Sequence, residues 1–188
     1  ILNPPYKKIS PTVIATSSGG VKVTNLYTAF LATAIQALDE GGECVAIIPR
    51  SLLNGDYFKD FRTWMPNECS LDALAVYGSR QEHFKDMNIL QEIMLVKVSK
   101  RSQVKKVTVY ADASPVEPLE QQPHESVALK ALLMGRDRIV RIQQQDPRLS
   151  GFKTMADQGL WVSTGKLVWF RNRDVLSNVE KPDGHPLY

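Results

Sequence analysis

The sequence predicts an α/β fold, and three observations on the first hundred residues lead to this prediction. An amphipathic helical pattern runs from Leu26 to Leu38 and is followed by two glycines. A short continuous apolar run, ECVAIIPR at 43–50, comes next, and two further apolar segments, LDALAVYG at 71–78 and LQEIMLVKVS at 90–99, are typical of strands. Helical and strand patterns therefore alternate, as they do when helices cover a sheet.

The chain begins with ILNPPYKKIS, in which Asn3-Pro4-Pro5-Tyr6 forms a rigid corner. Two consecutive prolines fix two φ angles near −65° and remove two backbone donors, so neither a helix nor a central strand runs through them. The corner presents an amide, backbone carbonyls and an aromatic ring in a fixed relation. The next stretch, Ser10 to Thr24, contains TSSGG and predicts a mobile surface loop.

The helix after this loop is predicted from one apolar face, with Asn25 as N-cap and Gly41-Gly42 as its stop. The residues on this face are Leu26, Phe30, Leu31, Ala34, Ile35 and Leu38. The run at 43–50 predicts a strand buried on both faces of a parallel sheet. If a strand precedes residue 3, the helix makes a right-handed crossover, and the corner leaves the carboxyl end of that strand, where α/β folds bind ligands.

A second helix is predicted to start at Ser51 as its cap and to end before Pro66. Its apolar residues are Leu52, Leu53, Phe58, Phe61 and Trp64. Beyond Val109 the pattern changes: ADASPVEPLEQQPHES predicts a linker, VALKALLMGRDR a short helix and LWVSTGKLVWFRNR a hairpin. We place a domain boundary near residues 110–125.

Composition excludes several classes of protein. The chain has 188 residues, 43% of them hydrophobic and 23% charged, with a formal net charge of +3, so it is globular in type and does not oppose a polyanionic partner. Two separated cysteines and three scattered histidines predict a reducing, cytoplasmic setting and no metal site. No apolar stretch approaches 18 residues, so no membrane association is expected.

One segment is distinctly basic. Between Ile93 and Ala111 there are five cationic residues and no acidic one; the cations are Lys97, Lys100, Arg101, Lys105 and Lys106. The segment either faces phosphate groups or is a solvated connector between two strands, and the sequence favours neither.

The corner has the groups needed to prepare an exocyclic amine for methyl transfer. Such an amine is a poor nucleophile because its lone pair is delocalised into the ring. If the Asn3 side-chain oxygen and the Pro4 carbonyl each accept one N–H, the nitrogen becomes tetrahedral and its lone pair is free to attack a methyl group. The acceptor dipoles and the face of Tyr6 favour the positive charge that develops, and Tyr6 can stack on the base. In DNA the base must first leave the duplex.

With this motif the chain resembles the amino-group DNA methyltransferases of restriction–modification systems, which act on adenine N6 and carry the tetrapeptide [DNS]PP[YFW]. The resemblance implies catalytic roles for Asn3, Pro4 and Tyr6, a rigidifying role for Pro5, and double-stranded DNA as partner. It also implies that 1–110 is the C-terminal half of a Rossmann-like, S-adenosylmethionine-dependent domain. Residues 111–188 would be a linker and the start of a target-recognition region, a mixed α+β extension that includes VSTGKLVWFRNRDVL.

Further residues take roles from this resemblance. Phe84, in HFKDMNILQEIMLVKV, lies where the family places an aromatic residue against the other side of the flipped base, although core packing explains a phenylalanine there equally well. Lys7 and Lys8 adjoin the corner and are expected to contact phosphate rather than to be merely exposed.

The sequence departs from the family in its cofactor site. The glycine-containing strand-to-helix turn and the following acidic residue that bind S-adenosylmethionine precede the tetrapeptide in this branch, and neither is in the sequence. The chain is therefore expected to be a catalytic-domain fragment without activity of its own. A restriction nuclease domain or subunit is a further expected partner.

Two alternatives remain open at this stage. One is a methyltransferase with the same tetrapeptide that modifies RNA or a protein glutamine; the basic and aromatic segment from Lys97 to Arg173 favours DNA over both. The other is a nonenzymatic DNA-binding or specificity module that keeps the fold without the cofactor. Cofactor titration separates the two classes.

Overall fold

The structure is a computed structural model, and it describes residues 1–77, 92–142, 148, 151–153 and 155–162. The chain forms two compact units, Ile1–Gln144 and Gln145–Tyr188. In the second unit a 3₁₀ turn spans Ala156–Gln158. The hairpin predicted at 160–173 lies largely outside the described residues, and Phe84 lies wholly outside them. Both stay predictions.

The first unit contains the described strands and α-helices. The strands are β1 (Lys8–Ile14), β2 (Val21–Asn25), β3 (Glu43–Pro49), β4 (Ser70–Val76), β5 (Ile93–Ser99), β6 (Lys106–Tyr110), β7 (Glu125–Ala128), β8 (Leu133–Met134) and β9 (Ile139–Val140). The α-helices are α1 (Leu26–Ala37), α2 (Lys59–Glu68) and α3 (Leu129–Leu132). Short 3₁₀ turns occupy Arg50–Leu53, Asp56–Phe58 and Leu119–Gln121.

The central sheet has five strands in the order β3-β5-β4-β6-β7. β5 is antiparallel to both β3 and β4, β4 is parallel to β6, and β6 is antiparallel to β7. On the free side of β3, Leu2 forms a parallel bridge with Ala46. The Leu2 segment, β3, β4 and β6 therefore run in one direction, and this mixed sheet with helices is of the α/β type.

The prediction that the strand at 43–50 lies in a parallel sheet is correct only at this Leu2 bridge. Its neighbour on the other side is antiparallel, with Val45 opposite Lys97. A continuous apolar run reports burial on both faces and carries no information about the direction of the next strand, which explains the difference.

Helix α1 begins as the sequence predicts. The Asn25 side chain accepts a hydrogen bond from the Thr28 backbone N–H at 3.1 Å, which satisfies one of the unpaired donors of the first turn. The helix ends at Ala37, before the two glycines. The predicted face is wrong in one respect, because Phe30 is exposed; the buried residues are Tyr27, Thr28, Leu31, Ala32 and Ile35.

Two local predictions on either side of these elements are also wrong. The segment predicted as a loop at Ser10–Thr24 contributes most of an antiparallel ribbon, β1 with β2, in which Val21 and Val23 are buried. The helix predicted from Ser51 is broken by Gly55, whose N–H binds the Ser51 carbonyl at 2.8 Å and where a Cβ would approach that oxygen to 2.9 Å. Helix α2 starts after this turn and includes Pro66 in its last turn.

The region after Val109 combines irregular and regular structure. The predicted linker contains the turn at Leu119–Gln121 and leads into β7, which joins the central sheet. The predicted short helix is α3, followed at once by the two-residue strands β8 and β9. The domain boundary near 110–125 concerns the full-length protein and stays a prediction.

Candidate active site

The corner lies at an edge of the sheet where several strands end. The Leu2 N–H donates to the Val45 carbonyl at 2.8 Å, and the Ile47 N–H donates to the Leu2 carbonyl at 2.9 Å. Asn3 follows this parallel pairing in the same direction as Arg50 follows β3. The four residues of the corner are therefore held beside the carboxyl end of β3, the edge at which open α/β sheets bind ligands.

The corner alternates in exposure. Asn3 and Pro5 are exposed, whereas Pro4 is buried. Since both prolines also have fixed φ angles, the backbone next to Asn3 cannot rotate freely. This arrangement keeps an amide oxygen available to a ligand while the next residue fixes its position.

Tyr6 is held in place from two sides. Its hydroxyl donates to the Ile47 carbonyl of β3 at 3.1 Å. Partial burial raises the pKa of Tyr6, so the phenol stays protonated and remains a donor. The edge of one ring meets the face of the other between Tyr6 and Tyr27, with centroids 6.1 Å apart and an interplanar angle of 83°. The ring orientation of Tyr6 is therefore set by β3 and α1 together.

Tyr27 is a site residue that the sequence reasoning missed. It is 3% exposed, and its ring also contacts Phe58, with centroids 5.5 Å apart. Its hydroxyl lies 3.4 Å from the Ser51 Oγ, and burial raises its pKa. Tyr27 lies two positions after the N-cap Asn25. This position predicts burial only when the strand that faces the helix is known.

The same edge carries a charged pair. Arg50 follows β3 and Glu92 precedes the antiparallel β5, so the two residues meet, with the Arg50 Nη1 3.3 Å from the Glu92 Oε2. The Arg50 N–H also donates to the Glu92 carbonyl at 2.9 Å. Tyr77, directly after β4, is 9% exposed and packs with Ile93 near Tyr6. The edge thus combines a fixed aromatic cluster with an ion pair.

Lys7 and Lys8 are both exposed next to the corner. The Lys8 ammonium lies 5.9 Å from the centre of the Tyr57 ring, within the range of a cation–π contact. The Lys7 carbonyl accepts the Leu26 N–H at 2.8 Å, which ties the corner to the start of α1. Their contacts with phosphate stay predictions.

The basic segment between Ile93 and Ala111 is partly neutralised. Lys97 pairs with Glu43 at 2.9 Å, and Arg101 pairs with Asp72 at 3.0 Å. For these two cations the structure favours a role in the sheet connection over phosphate binding.

The described residues provide little for a cofactor or metal. None of their strand-to-helix connections contains the glycine turn and following acidic residue of the family. Within the described part of the chain, no three metal-ligating side chains come together, and no helix is both long and apolar enough to span a membrane. Cys44 and Cys69 are buried free thiols, and burial raises the pKa of each.

Comparison with known proteins identifies relatives that share most of this chain. Residues 1–84 match the family described as Eco57I restriction-modification methylase. The chain is 39% identical over 191 residues to the Type II methyltransferase M.PstI of Providencia stuartii, covering 94% of this chain and 37% of that protein. It is 31% identical over 199 residues to the Type II methyltransferase M.BsuBI of Bacillus subtilis, covering 100% of this chain and 39% of that protein. The chain thus spans less than half the length of either relative.

A solved structure shares the fold. It is a chain from a study of complex assembly and conformational transition of the type I R-M system, with a TM-score of 0.54 and 11% identity. The likeness covers 84% of this chain and 40% of that chain.

Proposed function

This chain belongs to the methyltransferases of restriction–modification systems, and from that premise we propose that the full-length protein transfers a methyl group from S-adenosylmethionine to the N6 amine of adenine in DNA. The observation that carries the proposal is the Asn3-Pro4-Pro5-Tyr6 corner, held beside the end of β3 with Asn3 exposed and Tyr6 fixed.

In this proposal the corner holds the amine. The Asn3 amide oxygen and the Pro4 carbonyl accept its two N–H groups and direct its lone pair away from the ring. Because Pro4 and Pro5 restrict the backbone, these acceptors are preorganised and need not reorient as positive charge develops on the base. Pro5 contributes rigidity, and Asn3 and Pro4 are the residues that touch the reacting group.

Tyr6 binds the face of the flipped adenine. Its hydroxyl is already occupied by the Ile47 carbonyl, so the ring rather than the hydroxyl is the group offered to the base. Stacking on an aromatic ring is worth about 1–3 kcal/mol per base, enough to offset much of the cost of extrusion. Phe84 would contact the other face, and Lys7 and Lys8 would contact the phosphates on either side of the flipped nucleotide.

S-adenosylmethionine is the proposed methyl donor of the full-length protein. The described residues do not by themselves fit this cofactor, since they lack the glycine turn and the acidic partner, and apart from Asn3 we assign it no contact in this chain. We propose that residues 1–110 form the C-terminal half of a Rossmann-like catalytic domain and that 111–188 lead into a target-recognition region. Taken alone, residues 1–188 should then neither bind the cofactor nor methylate DNA.

That expectation has a direct test. Isothermal titration of the 188-residue chain with S-adenosylmethionine should give no measurable heat of binding. Dissociation in the low micromolar range would show that the cofactor site lies within these residues and would contradict the assignment.

The setting of the protein forms part of the proposal. Double-stranded DNA is the main partner, a restriction nuclease domain or subunit is a second one, and the cytoplasm is where both DNA and cofactor are available. A nonenzymatic specificity module, and a methyltransferase acting on RNA or protein glutamine, are the competing functions.

Methyl transfer assays with the full-length protein separate these functions. Labelled S-adenosylmethionine should transfer its methyl group to duplex DNA and not to RNA or to a glutamine-containing protein. Transfer to RNA or protein in place of DNA would identify another substrate. Binding of DNA without any transfer, together with no cofactor binding, would identify the nonenzymatic module.

A further inference from the structure

A cavity of about 510 Å³ lies between α2 and the β8–β9 hairpin, away from the residues of the corner. Three cationic side chains line it, namely Lys130 from α3 and Arg136 and Arg138 from the hairpin turn, together with Thr63 from α2 and Gly135. All three cations are exposed. The lining contains no carboxylate, so the cavity is suited to an anion.

The acidic residue of this hairpin, Asp137, already has a partner on α2. The Asp137 carboxylate pairs with the Lys59 ammonium at 2.5 Å, and this hydrogen bond lowers the pKa of Asp137, so the group stays charged and bound to α2. Among the described residues, no carboxylate forms an ion pair with Lys130, Arg136 or Arg138. Arg136 attracts the nearby Asp137 carboxylate without forming an ion pair, so its guanidinium donors remain available to a ligand, as do the charged groups of Lys130 and Arg138.

The hairpin that carries these charges is anchored. Buried Arg62 donates to the Asp137 backbone carbonyl at 3.1 Å and, through its Nη1, to the Leu52 and Gly55 carbonyls at 3.0 and 2.7 Å.

Gly135 and Arg138 have positive φ angles of 67° and 50°, so the turn between them is tightly curved. For a residue other than glycine this conformation is uncommon, and such positions cluster at functional sites.

The cavity and the corner are connected through α2. Phe58, at the start of α2, contacts Tyr27, which contacts Tyr6. The anchored hairpin and the fixed aromatic ring therefore belong to one continuous set of packed groups.

We propose that this cavity binds a phosphate of the DNA backbone, with Arg136 as its principal contact and Lys130 and Arg138 beside it. Guanidinium groups pair well with phosphate oxygens, and contacts of this kind set the position of a duplex without reading its sequence. The proposal rests on the proposed function, since it takes DNA as the source of the phosphate. Inorganic phosphate has the same chemistry and is the competing occupant.

The test measures duplex binding by the full-length protein as a function of salt. A labelled duplex of mixed sequence is titrated by fluorescence anisotropy from 50 to 200 mM salt, a range that reveals released counterions. Arg136→Gln should reduce the slope of log K against log salt by about 1, the value expected for one lost phosphate contact. Arg138→Asn, which tolerates the left-handed conformation, should do the same without straining the turn.

Lys22→Gln is the matched control, because Lys22 is exposed on β2 and also loses one charge. Its slope should equal that of the unmodified protein. An unchanged slope in both arginine variants, or an equal reduction in Lys22→Gln, would overturn the proposal.

Two further measurements separate the competing explanations. Titration with inorganic phosphate at constant ionic strength shows whether a free ion is the ligand: an effect of Arg136→Gln on phosphate binding with an unchanged duplex slope would overturn the assignment to DNA. Methyl transfer by the unmodified protein is measured in parallel. Loss of slope in the arginine variants supports the phosphate site even if no transfer is found, in which case only the proposed function fails.

Discussion

The corner at residues 3–6 and the β8–β9 hairpin offer polar groups to a ligand in opposite ways. At the corner, Tyr6 is tied to the Ile47 carbonyl and packed against Tyr27, so few groups are free and their geometry is fixed. On the hairpin, Arg62 holds the Asp137 backbone carbonyl and Lys59 holds its carboxylate, whereas the side chains of Arg136 and Arg138 are exposed. The first arrangement suits chemistry that depends on precise position, and the second suits attraction to a charged backbone. Variants at the corner should therefore change the methylation rate, and variants on the hairpin should change the salt dependence of DNA binding.

The largest effect is expected from Asn3→Ala. This variant removes one preorganised acceptor. By analogy with a lost oxyanion-hole donor, the stabilisation of the transition state should fall by roughly 3–4 kcal/mol, so the methylation rate of the full-length protein should fall about 10²–10³-fold. DNA affinity should stay nearly unchanged, since Asn3 acts on the reacting amine. Single-turnover kinetics with a saturating duplex measures the rate directly. Asn3→Asp, which keeps an acceptor oxygen, is the control, and a loss below tenfold in Asn3→Ala would contradict the role.

A smaller effect is expected at Tyr6. Tyr6→Ala should weaken both turnover and capture of the flipped base by about 1–3 kcal/mol, because the stacking ring is lost. Tyr6→Phe keeps the ring and loses only the hydrogen bond to Ile47, a net change of about 1 kcal/mol, so its turnover should be close to that of the unmodified protein. Fluorescence of a 2-aminopurine placed at the target position follows base capture. Equal damage in both variants would assign the role to the hydroxyl.

The next effect in size is expected at Tyr27, which positions Tyr6 without touching the base. Tyr27→Leu removes the edge-to-face contact, worth about 0.5–1.5 kcal/mol, and should lower kcat several-fold with little change in KM for DNA. Tyr27→Phe keeps the ring and should be nearly silent. A parallel fall in thermal stability and in kcat for both variants would indicate a structural role alone.

The smallest effect concerns the attachment of the hairpin. Because the pKa of Asp137 is lowered by its bond with Lys59, the stabilisation is complete above the ordinary aspartate pKa and is lost as pH falls through the lowered value in the folded protein. Both side chains are nearly half exposed, so the contribution is small. Thermal unfolding from pH 6 down to pH 2 should show a slightly steeper loss in the unmodified protein than in Asp137→Asn. Parallel curves would show that the pair does not stabilise the fold.

Features fixed by local chemistry could be predicted from the sequence. The Asn25 cap depends on residues three positions apart, and the strands at 43–49, 70–76 and 93–99 depend on apolar composition. The corner is predictable because two prolines between an amide and an aromatic ring restrict the chain whatever surrounds them. These predictions need no knowledge of residues that are distant in the sequence.

Features decided by distant partners could not be predicted. Phe30 and Leu31 both fit a helical stripe, and only the position of the sheet exposes one and buries the other. Pro66 predicts the end of a helix, but near the end of α2 it removes one hydrogen bond and the helix continues for two more residues. The cavity at Arg136 depends on a hairpin that docks on α2 through Arg62, which is a contact across 75 positions of sequence.

The central claim is that the corner presents the N6 amine of adenine for methylation, and the most direct test identifies the modified base. DNA treated with the full-length protein and S-adenosylmethionine is digested to nucleosides and analysed by liquid chromatography and mass spectrometry. The account predicts N6-methyladenine as the product, and its near-complete loss when the Asn3→Ala variant is used under the same conditions. A methylated cytosine as the sole product, or an undiminished yield of N6-methyladenine from the Asn3→Ala variant, would contradict it.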